Sequence, residues 1–221
     1  MKLFKKIGLV VFTILAIVIY TQYPKLNIIA GYAAKNISSN VFIANREVEH
    51  IQIVDNNIPS IKLAKSEVNF DTKITTSTVL GALSRDVFFR EGQGAVVIDD
   101  DFDVNQQFLK PKRTANTSSL PYPYGSGEPT DSIFANINYK QLTTAVNEAF
   151  IDTDKEFEKN TRSVLVIYKD HLVAEKYGEK FDKDTEFIGW SMAKSLLAAS
   201  IGALEYNTEF DIQKPIVAYL N

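Results

Sequence analysis

The sequence predicts a mixed α/β protein, of the α+β kind, behind an N-terminal membrane helix. Three observations predict it. A lysine-led apolar run covers residues 7–20, short β-forming runs fall between residues 48 and 108, and a hairpin pattern at 163–177 precedes a helix rich in Ala and Leu. The 221 residues are 45% hydrophobic and 23% charged, which excludes disordered, collagen-like and low-complexity classes. With no cysteine there is no disulfide, no zinc–thiolate site and no cysteine nucleophile. Two histidines, His50 and His171, are too few for a His-rich metal centre, although one could complete a triad. The net charge of −3 makes no case for nucleic acid as a partner.

That charge averages two unlike parts. Residues 1–46 carry six basic residues and no acid, whereas the rest carries 18 basic against 27 acidic residues. Lys2, Lys5 and Lys6 lead about 14 apolar residues, the pattern of a secretory signal or a short membrane anchor. The nearest small-x-small pair, Gly31 and Ala33, lies far downstream for a cleavage site. An uncleaved anchor over residues 1–22 is therefore expected, with a cleaved signal or a buried core helix as alternatives. Positive-inside bias places everything after Tyr20 on the exported side, in a bacterial periplasm or cell envelope.

Residues 23–135 are expected to form a membrane-proximal, strand-rich region ending in a Pro/Gly loop. At its start Ile28, Ile29, Tyr32 and Ala33 recur at helical spacing. Val87-Phe88-Phe89 and residues 95–98 read as strands, with Gly92 and Gly94 turning between them. Asp101, Asp103 and Asn105 have the start of a calcium-loop spacing. Gln106 stands where that loop needs glycine and Lys112 where it needs glutamate, so an exposed acidic loop is expected and no metal. Pro111, Pro121, Pro123, Gly125, Gly127 and Pro129 mark a linker or surface loop.

Residues 136–221 hold the chemistry. A helix is expected from Asn138, with Leu142, Val146 and Ala149 or Phe150 on one face. The run SVLVIY at 163–168, a turn at Lys169-Asp170, and HLVAEKY at 171–177 read as a hairpin that Gly178 ends. The following helix is apolar on nearly every side and is expected to be buried. Ser191 and Lys194 open it as an S-x-x-K motif, which places both side chains on one helix face. A serine there meets the positive helix end and free backbone N–H groups. A lysine acts as base if burial keeps it neutral. With 14 serines and 19 lysines, about one such motif arises by chance. Outside its context the pair reads as a helix cap and a solvated lysine; hairpin, Gly189-Trp190 and apolar helix supply the context.

The stretch VLVIYKDHLVAEKYG…TEFIGWSMAKSLLAASIGALE resembles the nucleophile region of the penicillin-recognising serine hydrolases, and within them the class C β-lactamase-like branch that includes 6-aminohexanoate-dimer hydrolases. Residues 210–220 resemble the segment that follows the active-site helix in that branch, and GYAAKN…VFIANR is similar, more weakly, to the N-terminal region of membrane-associated members. The resemblance implies that Ser191 is the acyl-accepting nucleophile, that Lys194 is its proton-transfer partner, and that the Ser191 N–H forms half of an oxyanion hole. It implies no cofactor, and a small amide or ester substrate: β-lactam, D-amino-acid peptide, short amide oligomer and simple ester all fit.

The family also needs a Tyr-x-Asn motif and a Lys/His-Thr/Ser-Gly motif well beyond the active-site helix. Tyr219-Leu220-Asn221 matches the first in letters but follows the helix too soon, and the second has no candidate. The expectation is therefore an incomplete penicillin-recognising fold, the hairpin and active-site helix of a truncated chain that is inactive alone. Two other readings stand beside the serine hydrolase. One is a non-catalytic exported module that binds peptidoglycan peptides or a partner on the same scaffold. The other is a membrane-tethered structural protein with a chance motif.

Overall fold

The computed structural model describes residues 2–112, 118–152 and 158–219. They form a mixed α+β protein in two compact units, Met1–Glu186 and Phe187–Asn221.

The first unit is organised by one helix, α1 (Lys2–Phe42). From Lys6 onward it is long and apolar enough to cross a membrane, and none of its most apolar stretch is buried in the protein. Leu9, Phe12, Ile17 and Tyr20 all face outward. Pro24 lies inside α1, where the apolar half ends and the protein-packed half begins. Beyond it, Ala30, Ala33, Ala34, Ile37 and Val41 are buried on one stripe at helical spacing. The helix expected from the spacing of Ile28, Ile29, Tyr32 and Ala33 is present; Ala33 is buried with Ile29 packed beside it, while Ile28 is 71% exposed. The small residues let the helix approach the sheet closely. A Cβ added at Gly31 would already touch both methyls of Val97, at 3.9 Å.

That sheet is a four-stranded antiparallel meander of β1 (Ala64–Asn69), β2 (Ile74–Val79), β3 (Leu83–Arg90) and β4 (Gly94–Ile98), in that order. Alternation puts Ala64, Val79, Val87 and Ala95 against α1. Val79 and Val87 are fully buried, and each such side chain contributes roughly 1.5–3 kcal/mol. β3 and β4 follow the expected apolar runs, and Gly92 and Gly94 adopt the positive φ values, 78° and 83°, that their turn requires. β1 and β2 are mostly polar, and Thr75 and Ser77 nevertheless face the helix fully buried. Within the stretch read as strand-rich, residues Val48–Val54 are instead a short helix, α2, whose Ile51 joins Ile37 and Val41. The acidic loop after β4 is exposed. Its Phe102 stands 6.0 Å from both Phe88 and Phe108, ring to ring. Residues 113–117 of the expected Pro/Gly loop lie outside the described residues.

Helix α3 (Tyr139–Glu148) starts where expected, with Asn138 Oδ1 accepting the Gln141 N–H at 3.1 Å and Val146 buried. The expected hairpin is β5 (Ser163–Tyr168) paired with β6 (His171–Tyr177). Lys169 and Asp170 both take left-handed backbone angles, which suits a two-residue turn between right-twisted strands. The Gly178 N–H closes the hairpin on Arg162 O at 2.8 Å.

Candidate active site

Within the second unit, helix α4 (Met192–Asn207) opens at the S-x-x-K motif. Gly189 precedes Trp190, whose φ of 43° turns the chain sharply into the helix. The first turn then closes on itself. Met192 N–H donates to Gly189 O, Ala193 N–H to Trp190 O and Lys194 N–H to Ser191 O, at 2.9, 3.2 and 3.1 Å.

Ser191 does not act as a helix cap. Its backbone is helical, at φ −67° and ψ −11°, and its side chain makes no capping hydrogen bond. Its hydroxyl instead accepts from Lys194 Nζ at 3.2 Å. Both residues named by the motif are therefore brought together, on one face, at the positive end of the helix. Both are exposed. An ammonium in this geometry donates to the serine; abstracting the serine proton requires the neutral amine, which burial favours.

The helix expected to be buried has no buried residue in this chain. Met192, Leu196 and Leu197 are 67%, 73% and 61% exposed. Its apolar character on all sides is as read; none of the described residues of its own unit buries it. The segment after it folds locally. Phe210 and Tyr219 pair ring to ring at 4.6 Å, and the Tyr219 hydroxyl bonds both the N–H and the carbonyl of Asp211, each at 2.9 Å. Tyr219 is thus tied to its own loop. Leu220 and Asn221, the rest of the Tyr-x-Asn letters, lie outside the described residues.

The first unit holds a polar network that sequence reasoning missed. Asp55 receives Arg46 at 2.6 Å and Arg162 at 2.5 Å, with the Asp55 and Arg46 side chains only 11% exposed. Arg46 also donates to Asn40 Oδ1 at 2.8 Å and to His50 Nδ1 at 3.0 Å. Asn36 links Asn40 to Asn56, and both guanidinium groups lie over the Phe181 ring at 5.9 and 5.8 Å. An open groove of about 630 Å³ beside it is lined by Arg46, His50, Phe181, Glu47, Asp182 and Glu186, among others. The sole hint in the sequence is Arg46 itself, the last base before the first acid. The other histidine, His171, bonds Ser132 Oγ through Nδ1 at 2.9 Å and packs by Phe134, with no carboxylate shown orienting it. That arrangement ties the hairpin to the preceding loop; it is not a triad.

Comparison of the chain with protein families, with curated proteins and with solved structures returns no match.

Proposed function

We propose that this protein is a membrane-anchored, exported serine hydrolase of amide or ester bonds, on a penicillin-recognising scaffold. One observation carries the reading: Ser191 opens an apolar helix without capping it and holds its hydroxyl 3.2 Å from Lys194 Nζ. Ser191 Oγ attacks the substrate carbonyl carbon, its proton passes to the neutral Lys194 amine, and Lys194 returns that proton to the departing amine or alcohol. Water then hydrolyses the acyl-serine. The Ser191 N–H supplies one donor to the developing oxyanion. The apolar half of α1, flanked by lysines and free of acids, serves as the uncleaved anchor and sets the exported orientation.

Labelling with a fluorophosphonate and with a fluorescent penicillin tests this. In the membranes of its own cell the protein should label at Ser191. Ser191→Ala should abolish the label, and Lys194→Ala should slow it by roughly 10²–10⁴-fold. No label in native membranes, where other serine hydrolases react, would sink the reading.

The exposure of both motif residues favours a second reading, a non-catalytic exported module on the same scaffold. It would retain peptidoglycan peptides or a partner protein with Ser191→Ala as well as with wild type, and would never label.

A further inference from the structure

We propose that the groove between β3 and the loop after β4 binds a small organic oxyanion, a phosphate or carboxylate carried on an apolar body, with Arg90 as its main contact. The groove lies wholly in the first unit and uses neither Ser191 nor Lys194.

The loop side of the groove is fastened by the chain itself. Gln93 Nε2 donates to Leu109 O, and Lys110 Nζ meets Glu91 Oε2 at 3.2 Å. Pro111 closes over the turn, where a Cβ added at Gly92 would lie 3.6 Å from its Cδ. The rings of Phe102 and Phe108 stack, and Phe102 also meets Phe88 of β3. The groove these contacts leave measures about 450 Å³. That is within the roughly 300–1,000 Å³ of small-molecule sites. Phe88, Phe108 and Val104 give it an apolar lining.

The charge comes from Arg90. It ends β3 opposite Gly94, which sets no side chain beside it. Its guanidinium carbon stands 5.0 Å from the centre of the Phe108 ring, a contact that holds the group in place. Its Nε is buried and has no hydrogen-bond partner. No ion pair reaches Arg90 among the described residues. A guanidinium cannot shed its proton to escape that cost. The surroundings add to it, because Lys35 is held below the ordinary lysine range by burial and then by the charge of Arg90. Lys73 and Lys110 also line the groove, against the single acid Glu91. Glu91 is already engaged: its bond from Lys110, and then the charges of Lys110 and Lys73, hold its carboxyl below the ordinary range. The acids of the loop do not fill the gap either. Asp103 Oδ1 accepts the Asn105 N–H at 2.9 Å, and no ion pair joins Asp99, Asp100, Asp101 or Asp103 to a base among the described residues. This local excess of base sits in a part of the chain with 18 basic against 27 acidic residues. A guanidinium fork matches the paired oxygens of a phosphate or carboxylate, and the apolar lining takes the body that carries them.

The test titrates the full-length protein, in nanodiscs of phosphatidylcholine alone, with para-fluorophenyl phosphate, para-fluorobenzoate and para-fluorobenzylamine. Fluorine NMR line widths report binding. Both anions should broaden at millimolar concentration, the phosphate binding more tightly because two cations, Arg90 and Lys73, face it. The amine should stay sharp, and inorganic phosphate should compete more weakly than the aryl phosphate. Arg90→Gln should weaken the aryl phosphate by roughly ten- to hundredfold, and Arg90→Lys, which keeps the charge but loses the fork, by less. Lys73→Gln should weaken it by roughly two- to fivefold. Unchanged affinity in an Arg90→Gln protein with wild-type circular dichroism would overturn the proposal. Should that variant not fold, unchanged affinity in Lys73→Gln would overturn it instead. Equal broadening of the amine would overturn the selection by charge. Inorganic phosphate competing as well as the aryl phosphate would overturn the role of the apolar lining. Sharp lines for both anions would overturn the whole inference.

Discussion

Asp55 shares one carboxylate between two guanidinium groups in a nearly dry setting, and the arrangement is asymmetric in its energetics. Forming a buried pair gains little net stability, because desolvation offsets attraction, but breaking one leaves an uncompensated charge. Asp55→Ala should therefore destabilise the first unit by about 3 kcal/mol, read as a shifted urea midpoint in far-UV circular dichroism. Glu91→Ala, which breaks the exposed pair with Lys110, should leave that midpoint unchanged. Tyr177 makes a different local statement. Its hydroxyl donates to the Glu175 carboxylate, which together with partial burial pushes the phenol up to about 12. A folded value raised above the unfolded value of 10.0 contributes stability that is fully present below pH 10 and lost as pH rises through about 12. A phenolate absorbance titration should include a late component from Tyr177, and Glu175→Gln should bring that component back toward the ordinary range. Of these residues the sequence marked Ser191 and Lys194, which are three apart. It did not mark Arg162, which meets Asp55 across 107 positions.

At the scale of elements, α1 does two jobs with two compositions. Its first half is uniformly apolar and stays outside the protein; its second half alternates small residues with polar ones and packs on the sheet. The packed half has no spare room at Ala34, which is fully buried against Val87, Ala95 and Phe89. Ala34→Leu should cost about 1–3 kcal/mol by overpacking, whereas Ile28→Leu on the exposed face should cost nothing measurable by thermal melting. The hairpin β5–β6 and the strands β3 and β4 were readable because a period of two and Gly or paired turn residues are local signals. The strands β1 and β2 were not readable one by one. Their sequences, AKSEVN and ITTSTV, lack an apolar run, and Thr75 and Ser77 became core residues only because α1 lies over them. Helix α4 was readable as a helix, since Ala and Leu are strong formers, yet its cover cannot be read from its own residues.

For the whole molecule, charge and hydropathy divided the chain early. The acid-free first 46 residues announced an apolar helix with a basic border, and the acidic remainder announced a folded body beyond it. The serine hydrolase reading builds on that division, with Ser191 in the acidic remainder. By itself the sequence determined the apolar N-terminal helix, the hairpins, the capped helix α3 and the approach of Lys194 to Ser191. Each depends on residues within about a dozen positions of one another, where periodicity and turn chemistry act directly. Only the tertiary structure decided which stripe of α1 is buried, that Asp55 gathers Arg46 and Arg162, and that Thr75 and Ser77 join the core. Those facts depend on which distant surfaces meet, and burial is decided by the partner as much as by the residue.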